Sequence, residues 1–196
     1  MKRAASVSVI ALLLVASLWA STLFSPTNMS TQVLPTPYVA TASSAYPDNP
    51  CPALPTTCGG ASYTPDGPFK STIGGGSWTG MNNGVDYLKI DLGAGVLWTL
   101  DNYKLTVNTT NRGPKDWTIQ GSTDDSSYTT LDTETSQTSW STGVEVSFTV
   151  NGGVTTPYRY FKFNVTANQG IAYTEVGNLK YYGHQGGGVK HRVIAQ

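Results

Sequence analysis

The sequence predicts an all-β sandwich, and three observations carry the prediction. Apolar and polar residues alternate with period two in several short runs, turn-forming residues separate those runs, and no helical period appears after residue 24. Many short strands with frequent turns indicate a sandwich or barrel. The 21 Gly and 11 Tyr among 196 residues, with abundant Thr and Ser, favour the same strands and tight turns.

The chain begins differently from the rest. Lys2 and Arg3 precede an uncharged apolar run from Ala4 to about Phe24, a charged region followed by a hydrophobic one, as in an export signal. The run is also long enough to cross a bilayer as an uncleaved apolar helix. No charged residue follows until Asp48, so Lys2 and Arg3 mark the inner side. Residues 1–24 therefore read as a signal peptide or a membrane anchor through residues 4–24, and both place the body outside the cytoplasm. Residues 25–37 are polar and contain Pro, and read as a linker. The body spans 38–183, and 184–196 form a glycine-hinged tail with no evident place in a core.

Within the body, Leu88, Ile90 and Leu92 share one strand face, and Tyr103, Leu105 and Val107 share the next. Trp117 with Ile119, then Val144, Val146, Phe148 and Val150, repeat the pattern. Tyr158 to Val165 is heavy on both faces, which suits a central strand covered on both sides. A last strand runs from about Asn178 to Tyr182. Gly93-Ala94-Gly95, Arg112-Gly113-Pro114, Asp124-Asp125-Ser126 and Asn151-Gly152-Gly153 supply the turns between them.

Composition excludes some functions. Only 12% of residues are charged, against about a quarter in typical domains, and Lys+Arg and Asp+Glu balance at 12 each. A binder of phosphate backbones needs a concentrated positive field, so nucleic acid is not an expected partner. Cys51 and Cys58 are the two cysteines, close together in a Pro-rich stretch. In an exported chain such a pair reads as one disulfide pinning its loop, with free thiols the alternative.

Four blocks in order make a resemblance specific. Tyr87-Leu88-Lys89-Ile90-Asp91-Leu92-Gly93 is followed by Pro114-Lys115-Asp116-Trp117-Thr118-Ile119-Gln120-Gly121-Ser122-Thr123-Asp124-Asp125, then Tyr158-Arg159-Tyr160-Phe161-Lys162-Phe163, then Asn178-Leu179-Lys180-Tyr181-Tyr182-Gly183. Together they resemble the discoidin, or coagulation factor type C, domain family, over about residues 60 to 183. That resemblance implies a galactose-binding-like jelly-roll β-sandwich, a fold shared with carbohydrate-binding modules. Trp117 and the Tyr160, Phe161 and Phe163 set read as core, Gly121 as a point of close packing, and Asp124-Asp125 as a turn where the family usually has Asp-Gly.

The resemblance also implies sites. The family's binding end is built from the loops around Tyr63, Arg112, Trp140 and Tyr173, whose rings and guanidinium suit the apolar faces and hydroxyls of a sugar; for Trp140 the alternative is a loop ring folded back onto the core. A glycan or glycoconjugate is the expected partner, and adhesion the expected role. Many carbohydrate-binding members hold a structural Ca2+ between an early loop and a closing Glu. The corresponding residues here are Asp66, Thr72, Glu175 and Asn178, with Asn178 in the closing Glu's place; the alternative is that Asp66 caps a turn.

Catalysis finds little support. His184 and His191 both fall in the tail, and there is neither a nucleophile elbow nor an evident pair of carboxylates. Two other readings remain: a self-assembling structural subunit of a surface filament or virion, suited by the charge-poor surface, and a lipid-binding domain inserting Val96-Leu97-Trp98. Asn28, Asn108 and Asn164 head glycosylation sequons, which matter only in a eukaryotic or viral setting.

Overall fold

The computed structural model describes residues 20–52, 54, 58–60, 62–70, 76–150 and 154–186. Eleven strands are named among them: β1 (Thr22–Leu23), β2 (Val39–Ala42), β3 (Trp78–Gly80), β4 (Asp86–Asp91), β5 (Asn102–Thr106), β6 (Pro114–Ser122), β7 (Thr129–Glu134), β8 (Val146–Thr149), β9 (Tyr160–Asn168), β10 (Thr174–Val176) and β11 (Asn178–Gly183). They form a five-stranded sheet in the order β2-β4-β9-β6-β7, a four-stranded sheet β1-β11-β5-β8, and a two-stranded ribbon β10-β3. All named pairings are antiparallel. The expected all-β sandwich is present.

The alternation seen in the sequence decides which side chains meet between the sheets. Leu88, Ile90, Trp117, Ile119, Phe161, Phe163 and Val165 point inward from the larger sheet, and Tyr103, Leu105, Phe148, Leu179 and Tyr181 from the smaller, all buried. Each such side chain contributes about 1.5–3 kcal/mol by leaving water. Gly121 does what its position implies: a Cβ there would lie 2.6 Å from the Tyr158 ring, which packs flat on the bare backbone. Val144 departs from the expected pattern; it is exposed, because it lies before β8 begins.

One polar bridge ties the sheets together. Trp117 Nε1 donates to the Tyr103 hydroxyl at 2.9 Å, and that hydroxyl donates to Asp132 at 2.8 Å. Burial, then the Asp132 charge, pushes the Tyr103 phenol far above its ordinary range, so it stays a donor. Tyr103→Phe should cost about 2 kcal/mol, because it strands both the indole N–H and the carboxylate. Urea denaturation with an unchanged slope would measure it.

Strand β9 is central, as its sequence suggests, but only one of its faces enters the core. Its outer side carries Tyr160, Lys162 and Asn164, half-buried beneath long neighbours rather than under another layer. Lys162 lies over the Tyr128 ring, 3.7 Å from its centroid, and Arg159 over Tyr160 at 4.7 Å. Burial, then Lys89, holds the Lys162 ammonium below its usual range. Aromatic bulk on the outer face was thus a platform for cations, not a second core. At the adjoining turn Asp125 takes φ 63°, the left-handed conformation Gly would adopt, and Lys89 binds its carboxylate at 2.7 Å.

Residues 25–32 of the segment expected to be a linker pack on the sandwich, and so do Thr22–Phe24, the end of the run expected to be a signal peptide or anchor. Phe24 is 5% exposed, stacks on Trp98 at 5.1 Å and touches Phe161 and Tyr181. Ser25 Oγ accepts from the Tyr181 amide, and the Gln32 side chain accepts from the Cys58 amide at 2.8 Å. Met29 is buried as well. A few anchors in a polar stretch hold residues 24–32 against the sandwich, and average polarity concealed them. Cys51 and Cys58 form the expected disulfide, with Cα atoms 5.2 Å apart.

The first residues of the expected tail, 184–186, are bonded to the domain. His184 is not loose: its backbone bonds Thr99, and its Nε2 sits 2.9 Å from Asp101. Gln185 bridges to Trp98, and Gly186 donates to the Leu97 carbonyl. Residues 1–19, with most of the apolar N-terminal run, and 187–196, with His191, lie outside the described residues. Among the described residues no helix is long and apolar enough to cross a membrane.

Candidate functional site

Loops at one end of the sandwich surround an open concavity of about 220 Å³ lined by Tyr46, Tyr63, Thr79, Arg112 and Tyr173. Three of the four expected ligand residues, Tyr63, Arg112 and Tyr173, therefore converge. Tyr46 presents its ring edge-on to both Tyr63 (centroids 5.6 Å apart, 86°) and Tyr173 (5.9 Å, 81°). The Arg112 guanidinium lies 5.5 Å from the Tyr173 ring centroid. Among the described residues it has no carboxylate partner, so its donors face the concavity without an internal ion pair.

Local structure explains why these side chains meet. Tyr46 is 42% exposed, yet its amide donates to the Thr79 carbonyl on β3 at 2.9 Å. The preceding Ser43 and Ser44 hydroxyls both bond the buried Asp86 carboxylate, which also accepts from the Asn82 amide at 2.8 Å. Asp86 thereby fixes the loop that carries Tyr46. Arg112 ends a 3₁₀ turn, Thr110–Arg112, directly before β6. Tyr173 precedes β10; its carbonyl accepts from Asn168, as does that of Ile171.

Trp140 does not join them. Its indole is 8% exposed and donates to the Pro114 carbonyl at 2.9 Å. It lies on Gly113, where a Cβ would stand 2.3 Å from the ring. A glycine beside the loop opened space for the ring to fold back onto Trp117 and Phe148. The residues the sequence reading missed are Tyr46 and Thr79. Tyr46 is an aromatic inside a run of turn formers, which is a usable signal; Thr79 follows a buried Trp on a three-residue strand and offers none.

Three of the four residues implied as calcium ligands are described, Asp66, Glu175 and Asn178, and each is engaged differently. Asp66 is buried, but Lys70 Nζ lies 3.3 Å from its carboxylate. Asn178 turns its amide nitrogen, not its oxygen, toward the Lys70 and Pro68 carbonyls, at 3.2 and 3.4 Å. Glu175 lines a different concavity, with Ser77 and Asn108. Thr72 lies outside the described residues, and no group of three acidic, His or Cys side chains gathers among those described. The Lys70 ammonium serves Asp66 and the Asn178 amide N–H serves the Pro68 and Lys70 carbonyls, whereas Asn178 Oδ1 and Glu175 Oε2 are buried without a partner among the described residues. Dialysis against EDTA tests the calcium expectation: a fall of several degrees in the thermal midpoint, restored by calcium, would support it, and an unchanged midpoint would count against it.

The apolar stretch Val96-Leu97-Trp98 is likewise not a protruding tip. Val96 and Trp98 pack on the core, and Trp98 exchanges backbone bonds with Tyr158.

No protein-family model and no curated protein matches the chain. Solved structures do. A family 32 carbohydrate-binding module of a Clostridium perfringens GH89 protein, in complex with GalNAc-β-1,3-galactose, matches at TM-score 0.56 and 13% identity, covering 74% of this chain and 94% of that one. The family 32 module of Clostridium perfringens NanJ, in complex with galactose, matches at 0.53 and 14%, covering 74% and 93%. Chitosan-binding module 2 of a Paenibacillus sp. IK-5 chitosanase/glucanase, in complex with chitotriose, matches at 0.54 and 17%, covering 74% and 95%. The chain thus has the galactose-binding-like jelly-roll fold, which family 32 carbohydrate-binding modules share with discoidin domains.

Proposed function

We propose that this protein is a non-catalytic carbohydrate-binding module, presented outside the cytoplasm and serving attachment to glycan-bearing surfaces. One observation carries the reading: three tyrosine rings and an unpaired guanidinium surround a single open concavity at the loop end of this fold. Tyrosine faces stack on the apolar C–H faces of a pyranose, and the planar fork of Arg112 matches a pair of vicinal hydroxyls or a carboxylate. The lining supplies rings, a guanidinium and a hydroxyl, groups that hold a sugar without transferring its protons. Carbohydrate-binding modules among the structural relatives support the same ligand class.

A shallow site of this size holds about one sugar residue, so affinities between millimolar and micromolar are expected. Isothermal titration with galactose, GalNAc-β-1,3-galactose and chitotriose, backed by a broad glycan array, tests the proposal. Saturable binding to at least one glycan is the expected result. A folded protein that binds none on the array would be a different kind of module.

A further inference from the structure

We propose that Glu175 floors a second sugar subsite beside the first, so that the protein holds a glycan of two or more residues across Tyr63. This rests on the carbohydrate reading of the first concavity. A second concavity, of about 310 Å³, is lined by Tyr63, Ser62, Ser77, Asn108 and Glu175, among others. Tyr63 lines both concavities. The floor is shared too: Thr79 of the first concavity and Glu175 of the second are register partners across the β10–β3 ribbon, so their side chains leave the same face.

Both residues carry an unmet demand. Glu175 is 3% exposed, and among the described residues its Oε2 and the Thr79 Oγ1 are buried without a hydrogen-bond partner. Such groups are costly to leave unpaired, and a buried carboxylate oxygen calls for a donor. Asp86, a neighbouring buried carboxylate, has its donors supplied by Ser44 and Asn82; Glu175 Oε2 does not. Sugar hydroxyls are such donors, and the Ser62 and Ser77 hydroxyls with the Asn108 amide would accompany them. The two subsites differ in chemistry. The first offers ring faces and a cation, whereas the second offers hydrogen bonds and a carboxylate, so it favours a neutral or amino sugar over an acidic one. Consecutive sugar residues are joined through one oxygen, which suits two concavities that share one lining side chain.

The test is chain-length dependence, measured by titration of the full chain with galactose against GalNAc-β-1,3-galactose and with glucosamine against chitotriose. At least one oligosaccharide should bind about tenfold tighter than its monosaccharide, the effect of roughly one added hydrogen bond to a charged group. That ratio should fall to near one in Glu175→Gln and in Ser62→Trp. Ser62 is exposed, so its replacement fills the second concavity from outside and decides the matter even where the buried Glu175 variant does not fold. Equal affinities within both pairs, or a gain that survives either substitution in a folded protein, overturns the proposal. Monosaccharide binding without a chain-length gain removes only the second subsite, while binding to no glycan at all removes the first reading with it.

Discussion

Arg112→Ala should lower affinity for the bound glycan by about tenfold to a hundredfold while leaving the thermal midpoint within a degree or two. Hydrogen bonds from a charged group are each worth about 1.5–3 kcal/mol, and a guanidinium fork makes two at once. The fold should not register the loss, because Arg112 lies in a loop and has no carboxylate partner among the described residues; its contact with Tyr173 is a modest cation–π pairing. Arg112→Lys should recover only part of the affinity, since an ammonium keeps the charge but not the planar fork. Titration of both variants, with circular dichroism to check the fold, would measure this. Full affinity in the alanine variant would move the site away from this concavity.

Gly113→Ala should be far more damaging than its single methyl suggests. The added Cβ would stand 2.3 Å from the ring of Trp140, a buried side chain rather than the free end of a flexible one. Expelling the indole forfeits its packing on Trp117 and Phe148 and its bond to the Pro114 carbonyl. Loss of a buried Trp costs about 3–5 kcal/mol, a fall of about ten degrees in a domain of this size. Gly113→Ala combined with Trp140→Ala should cost less than the sum of the two, because the second change removes what the first collides with. Because Gly113 follows Arg112, glycan affinity should fall in Gly113→Ala as well, and in Trp140→Ala through the displaced loop. Trp140 is thus a positioning residue, not a contact, and melting curves with titrations on the three variants separate the two roles.

Much of the fold was legible because β4, β5, β6, β9 and β11 are long enough to display a period. Strands β1, β3 and β10 have two or three residues, too few for any alternation to show, and β3 and β10 floor the site. Tyr63, Arg112 and Tyr173 were legible because the resemblance pointed to their loops. Trp140 was misplaced because sequence gives no account of where a void lies, and Gly113, 27 positions away, makes the void. The surroundings of Asp66 were illegible for a related reason: Lys70 reads as an exposed charge until its ammonium is seen against Asp66. Sites assembled from distant loops are set by contacts that no local pattern records.

The pairing of β1 with β11 has a consequence for how the cleft is shown to its surroundings. Thr22 lies opposite Gly183, so the chain enters and leaves the domain side by side. On β11, Asn178 marks the cleft end, beside Thr106 and the loop leading to Arg112, and Gly183 marks the far one. Both described ends of the chain, at Thr22 and Gly183, therefore lie at the end of the sandwich opposite the tyrosine cleft.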